Sequence, residues 1–173
     1  MILATHPARL ASALAAALAV SLWLASPAPA AVSFARTDYA PGTFSRAVAI
    51  GDLDRDGTPD LAVADRGSGQ LLVLIGDGSG GFADPVGFPA NGSAYSIALG
   101  DLNADGKLDA ALTDANGGVD VLLGDGHGGF GGPIHSTAGS NSYGVAMGNL
   151  DADGAPDLAV ANADSDDVSF LRA

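Results

Sequence analysis

Three stretches of the chain place oxygen-bearing residues at alternate positions. In the first, Asp52, Asp54, Asp56 and Asp60 stand at positions 1, 3, 5 and 9 of a loop that turns at Gly57, with the Thr58 carbonyl at position 7. The second offers Asp101, Asn103, Asp105 and Asp109, turning at Gly106, with the Lys107 carbonyl. The third offers Asn149, Asp151, Asp153 and Asp157, turning at Gly154, with the Ala155 carbonyl. Alternate side chains of a tightly curled loop converge on one centre. Ca²⁺ takes six to eight hard oxygens at about 2.3–2.6 Å with tolerant geometry, whereas Mg²⁺ wants a near-ideal octahedron and keeps its waters. Four side chains, one carbonyl and water meet the Ca²⁺ requirement, so Ca²⁺ is the expected cofactor. Carboxylates crowded in this way repel one another unless a cation offsets them. The bland alternative is a set of Asx turns in which each Asp caps a backbone N–H.

Other readings of the same residues fail. An EF-hand needs a bidentate Glu at position 12 and flanking helices; here that position is Val63, Leu112 or Val160. Transition metals favour imidazole or thiolate. The chain has no cysteine, and His6, His127 and His135 form no ligand spacing, the last two reading as loop surface residues. Gly76-x-Gly78-x-x-Gly81 formally fits a dinucleotide fingerprint, but that motif must open a helix. Phe82-Ala83-Asp84-Pro85 follows instead, and the pattern recurs at Gly124, Gly126 and Gly129. There is no Gly-x-Ser-x-Gly elbow. Ten of the twenty Asp residues belong to the three loops, which leaves few for a hydrolytic carboxylate pair. No catalytic site is expected.

The loops recur because the whole unit recurs. Gly51-Asp52-Leu53-Asp54-Arg55-Asp56-Gly57-Thr58-Pro59-Asp60-Leu61 returns from Gly100 and again from Gly148, and Gly76-Asp77-Gly78-Ser79-Gly80-Gly81-Phe82 returns from Gly124. A period near 48 belongs to solenoids, propellers or arrays. Each unit reads as four short strands. The first strands are 46–50, 95–99 and 143–147, with period-two pairs Val48/Ile50, Ile97/Leu99 and Val145/Met147. The second strands, 61–64, 110–113 and 158–161, follow the acidic loops. The third strands, 71–75, 119–123 and 168–171, are the most continuously apolar and are expected to be the most buried. A weak fourth strand is expected from Phe82 or Phe130. The fold class is therefore all-β: about three four-stranded antiparallel blades of a propeller-like repeat, as an incomplete ring. Units are expected at about 34–81, 82–129 and 130–173, the last truncated.

The three Gly-[Asp/Asn]-Leu-x-x-Asp-Gly-x-x-Asp segments and the two Gly-Asp-Gly-x-Gly-Gly-Phe segments resemble the VCBS and FG-GAP repeat family, which includes the integrin α-chain type of β-propeller. The resemblance covers residues 33–173. It implies a ring of about seven blades, calcium in the loop between the first two strands of a blade, and adhesion or recognition outside the cell. With three acidic loops, this chain is expected to be part of a longer repeat protein or to associate through an exposed sheet edge.

Composition agrees. All acidic residues are Asp, and Gly numbers 25, which suits tight loops. The formal net charge of −13 disfavours nucleic acid and anionic membranes as partners. Residues 1–30 read as a signal peptide: a basic start at Arg9, an uncharged Ala/Leu stretch, and Pro27-Ala28-Pro29-Ala30 before the new N-terminus at Ala31. After cleavage no membrane span is expected, and the chain should be secreted or held at the cell surface. The leading functional expectation is a calcium-binding extracellular module for adhesion or recognition of a protein or glycan. A calcium-rigidified spacer and an accessory repeat region of a secreted hydrolase are the alternatives.

Overall fold

Alternating apolar positions extend the chain, and Gly- and Asp-rich segments turn it back on itself. The computed structural model describes residues 33–173, and the expected export signal lies outside them. β1 (Ser45–Gly51), β2 (Asp60–Asp65), β3 (Gln70–Leu74) and β4 (Val86–Pro89) form an antiparallel sheet in chain order. β5 (Ala94–Gly100), β6 (Asp109–Asp114), β7 (Gly118–Leu122) and β8 (Ile134–Thr137) repeat it. β9 (Ser142–Gly148), β10 (Asp157–Asn162) and β11 (Asp167–Leu171) form a third sheet of three strands. This is the expected all-β, propeller-like architecture, and the sheets do not close on one another as a barrel. The sheets divide the chain between 89 and 94 and between 137 and 142, a different phase from units starting at 34, 82 and 130.

Strand register sorts the residues onto two unlike faces. In the first sheet Val48 pairs with Val63 and Ile50 with Leu61, while Ala47 pairs with Ala64 and Ala49 with Ala62. The alanine-rich face, with Leu71 and Val73, meets the large residues of the second sheet. Ala62, Ala64, Leu71 and Val73 share one core with Ala94, Ala110, Leu112 and Leu122, and Ile97, Leu99 and Phe130 pack onto it. The pattern repeats at the next junction, where Ala111 and Val119 meet Leu158 and Val160, flanked by Val145, Met147 and Leu171. Small side chains on one face let the branched side chains of the next sheet approach closely. Each fully buried Leu or Val contributes about 1.5–3 kcal/mol.

Three expectations need correction. Phe82 and Phe130 do not start a fourth strand. They make isolated bridges to Gly76 and Gly124, and the outer strands begin at Val86 and Ile134. The reason is local: Ala83 N–H donates to the Ile75 carbonyl at 2.8 Å and Gly131 N–H to the Leu123 carbonyl at 2.8 Å, which closes the turn. Pro85 and Pro133 then stand before the strand, where a missing N–H breaks no ladder bond. Secondly, the third strand is not uniformly the most buried. β6 is buried throughout, whereas β11 is largely exposed, since no further sheet among the described residues covers its outer face. Thirdly, His135 lies on β8 rather than in a loop, with Nδ1 2.9 Å from the buried Asp120 carboxylate.

Candidate metal centre

Each acidic loop joins an inner strand to the second strand of its sheet, and its conformation repeats. Arg55, Ala104 and Ala152 take left-handed φ values of 65°, 59° and 65° at position 4. Gly57, Gly106 and Gly154 follow at 90°, 80° and 101°, where a Cβ would add strain. This curl turns the carboxylates inward. Asp52 accepts from Asp56 N–H at 3.1 Å and Gly57 N–H at 3.0 Å. Asp101 makes the same pair with Asp105 and Gly106 at 3.0 and 2.8 Å. Asp54 and Asn103 each accept from the amide two residues on, at 3.1 and 3.0 Å.

Position 9 has a different part. Asp60 is the first residue of β2 and is fully buried, with Oδ2 accepting from Leu53 N–H and Oδ1 from Gly76 N–H, both at 2.8 Å. Asp109 does the same with Leu102 and Gly124 at 2.9 Å each. Asp157 holds Leu150 at 2.8 Å and Ala173 at 3.3 Å. This carboxylate clamps the start of its own loop to the end of the third strand. A carboxylate oxygen has a second lone pair, so the clamp leaves capacity for a cation.

The three loops are not equivalent. In the first, Asp52, Asp54 and Asp60 each present an oxygen within 4.8 Å of the others. Asp56 turns away onto Thr58, whose N–H and Oγ1 donate at 2.7 and 2.6 Å; those bonds hold its carboxyl below the usual range. The Asp105 carboxyl is lowered chiefly by the Lys107 side chain, whose Nζ donates to it at 3.1 Å. The third loop is looser. Asn149 accepts from Ala152 N–H at 2.6 Å, Asp151 from Asp153 N–H at 3.3 Å and Asp153 from Ala155 N–H at 2.9 Å, and the Arg172 side chain approaches Asp151 at 3.6 Å. Among the described residues only the first loop gathers three carboxylates at ligand spacing. It is also braced from the next sheet, where Gly128 N–H donates to the Leu53 carbonyl at 3.1 Å.

Electrostatics point the same way. Burial raises the Asp109 pKa, and the Asp105 and Asp101 charges raise it further against the opposing bonds from Gly124 and Leu102. A cation in that loop would offset both of those charges. The donor set is all hard oxygen and net acidic, which fits Ca²⁺. Asp52, Asp54 and Asp60 would hold it in the first loop. Such a bound cation supplies charge neutralisation and a cross-link, the part a disulfide plays elsewhere.

The glycine-rich segments are turns without a helix. Asp77 accepts from Ser79 and Gly81 N–H, and Asp125 from His127 and Gly129 N–H, all at 2.7–3.0 Å. At the opposite end of β1 from the acidic loop lies a feature that the strand pattern did not disclose. The exposed guanidiniums of Arg46 and Arg66 both stand over the rings of Phe44 and Tyr95, 5.0–5.6 Å from the centroids. Tyr95 in turn packs on Tyr143 with centroids 4.6 Å apart. The unit period placed Tyr95 and Tyr143 in register. The arginines belong to the first unit alone, so repetition could not flag them.

Acid stability has a separate anchor in Asp65, at the end of β2. Burial pushes its pKa up, but bonds from the Ser68 hydroxyl and the Phe44, Ser68 and Thr43 amides pull it down further, so the net shift is downward. Its stabilisation is complete above about pH 4 and is lost as pH falls through the lower folded value. Asp109 acts oppositely: its raised pKa removes stability as pH rises from near 4 through the folded value. Asp65→Asn, which copies Asn162 of the third unit, should flatten the acid limb of a stability–pH curve taken in chelator. An unchanged slope would exclude Asp65 as the source.

The family comparison bears on the same loops. The FG-GAP-like repeat pattern matches residues 52–112 and again residues 101–160, spanning all three acidic loops. The chain belongs to the FG-GAP-like repeat family. FG-GAP repeats are structural, non-catalytic modules, and the first acidic loop of this FG-GAP chain gathers a candidate cation site at Asp52, Asp54 and Asp60. No curated protein sequence matches the chain. No helix among its described residues is long and apolar enough to cross a membrane.

Proposed function

We propose that this FG-GAP chain is a calcium-stabilised extracellular recognition module. The convergence of Asp52, Asp54 and Asp60 at the β1–β2 connection carries the reading. Export rests on the composition of residues 1–30, and the extracellular setting is one in which free calcium is abundant enough for low-affinity loops. Recognition falls to the other end of the first sheet. There Arg46 and Arg66, exposed in a strongly acidic chain, flank aromatic rings suited to a protein or glycan carrying carboxylate or sulfate groups.

Calorimetric titration of metal-stripped protein should show saturable calcium uptake, tightest at the first loop. Asp54→Asn should weaken that step, since it removes a carboxylate without touching the buried clamp. Absence of uptake at millimolar calcium would end the metal reading. For recognition, arrays of acidic glycans should retain the chain, and Arg46→Ala with Arg66→Ala should abolish retention; equal retention of the double variant would remove this surface from the proposal.

A further inference from the structure

The two ends of the repeat array carry the two halves of a junction that the chain already makes twice within itself. At each internal junction the end of an inner strand seats on a glycine of the preceding sheet. Beside Gly51, Leu108 and Leu99 together fill the space that a Cβ there would enter, and Met147 does the same beside Gly100. The third glycine of this series, Gly148, has open space in that direction. The residue matching Leu99 and Met147 in the first sheet is Ile50, and it is 69% exposed. Val48 is 60% exposed, although its counterparts Ile97 and Val145 are partly buried. At the other end Val168 is 70% exposed, while Leu71 and Val119, its equivalents on β3 and β7, are fully buried.

The sheet edge tells the same story. Among the described residues the third sheet has no strand beyond β11, and residues 38–40 stand before β1 as β4 stands before β5. Tyr39 precedes Ser45 by six positions, as Phe88 precedes Ala94. The match holds in space as well. Tyr39 meets Phe82 edge-on with centroids 5.3 Å apart, and Phe88 meets Phe130 at 5.6 Å. Residues 38–40 therefore lie where the outer strand of a preceding unit belongs.

We propose that a second copy of this chain docks head to tail on these surfaces. Val48 and Ile50 of one copy pack on Gly148, Val168 and Phe170 of the other, and residues 38–40 of the first add to β11 of the second as its fourth strand. The β3–β4 register, in which Leu71 faces Phe88, places Tyr39 opposite Val168. The occupant is a second copy because both halves of the junction are present on one chain, each with exposed apolar residues and each matching a contact seen inside it. Such a contact is heterologous, and heterologous contacts close into rings when the rotation allows. Two copies joined at both ends supply six units, within the roughly four to eight blades of closed propellers.

The test uses one block on each half. Ile50→Asp disables the first surface and Gly148→Arg the second. Both positions are open in the single chain and Gly148 does not need a left-handed φ, so circular dichroism should show unchanged β content for each. In calcium, sedimentation should give two-chain particles for the unaltered chain and single chains for either variant alone. Mixing the two variants should restore one-to-one pairs, because the mixture retains one intact junction. A chain that stays monomeric up to about 100 μM overturns the proposal and leaves the faces to further repeats. Association that survives both substitutions, or a mixture that restores nothing, overturns it equally and points to edge pairing of another kind.

Discussion

Chelator added to the calcium-loaded chain should lower its melting temperature by about 5–11 °C. A ligand bound only by the folded state stabilises it by about 2.7 kcal/mol at a hundredfold excess over Kd. In a domain of this size 1 kcal/mol moves the midpoint by roughly 2–4 °C. The chain has no cysteine, so no disulfide can stand in for a bound cation. One site at that occupancy is a large share of a typical total of about 5–15 kcal/mol. Thermal unfolding by circular dichroism with calcium and with chelator measures it. Superimposable curves would mean that the loop carboxylates are turn caps and nothing more.

Asp60→Ala should cost about 2–6 kcal/mol even in chelator, with a further loss in calcium because Asp60 is also one of the three residues gathered for the cation. The substitution orphans two buried amides, Leu53 N–H and Gly76 N–H, each worth about 1–3 kcal/mol when left without a partner. Asp54→Ala, by contrast, should lose stability only in calcium, since Asp54 caps an exposed loop amide and closes no distant strand. Denaturant unfolding of both variants with and without chelator separates clamp from ligand. If Asp60→Ala proves harmless in chelator, the clamp reading of the buried carboxylate is wrong.

That contrast marks how far the sequence could be read. The period, the strands and the loop positions were legible because glycine and alternating apolar residues impose them locally. The all-β units and the family followed from the same signal. What period-two patterning could not show was burial, which depends on neighbours. Val48, Ile97 and Val145 are alike in sequence, yet only the last two are covered, because each has a sheet before it. The loops met the same limit. Odd spacing grouped Asp52, Asp54, Asp56 and Asp60 as equals, but Asp60 is drawn into the core by amides from two different segments. Asp56 is claimed by Thr58, and in the second loop the Lys107 ammonium engages Asp105. The fourth strand was misplaced because Phe82 closes a turn through carbonyl contacts that composition does not encode.

Strands that pair in chain order confer a kinetic property. Within each sheet β-hairpin partners are separated only by short loops, so their closure entropy is small and rises slowly with any insertion. Pairing of strands that are neighbours in the chain avoids the larger closure cost of distant pairings. Each sheet can therefore organise from its own residues, and the interlocking of alanine-rich against branched faces then propagates order from one unit to the next. Addition or loss of a whole unit changes only the ends of such a chain of neighbours. A gene encoding it can lengthen by duplication without having to solve the folding problem again.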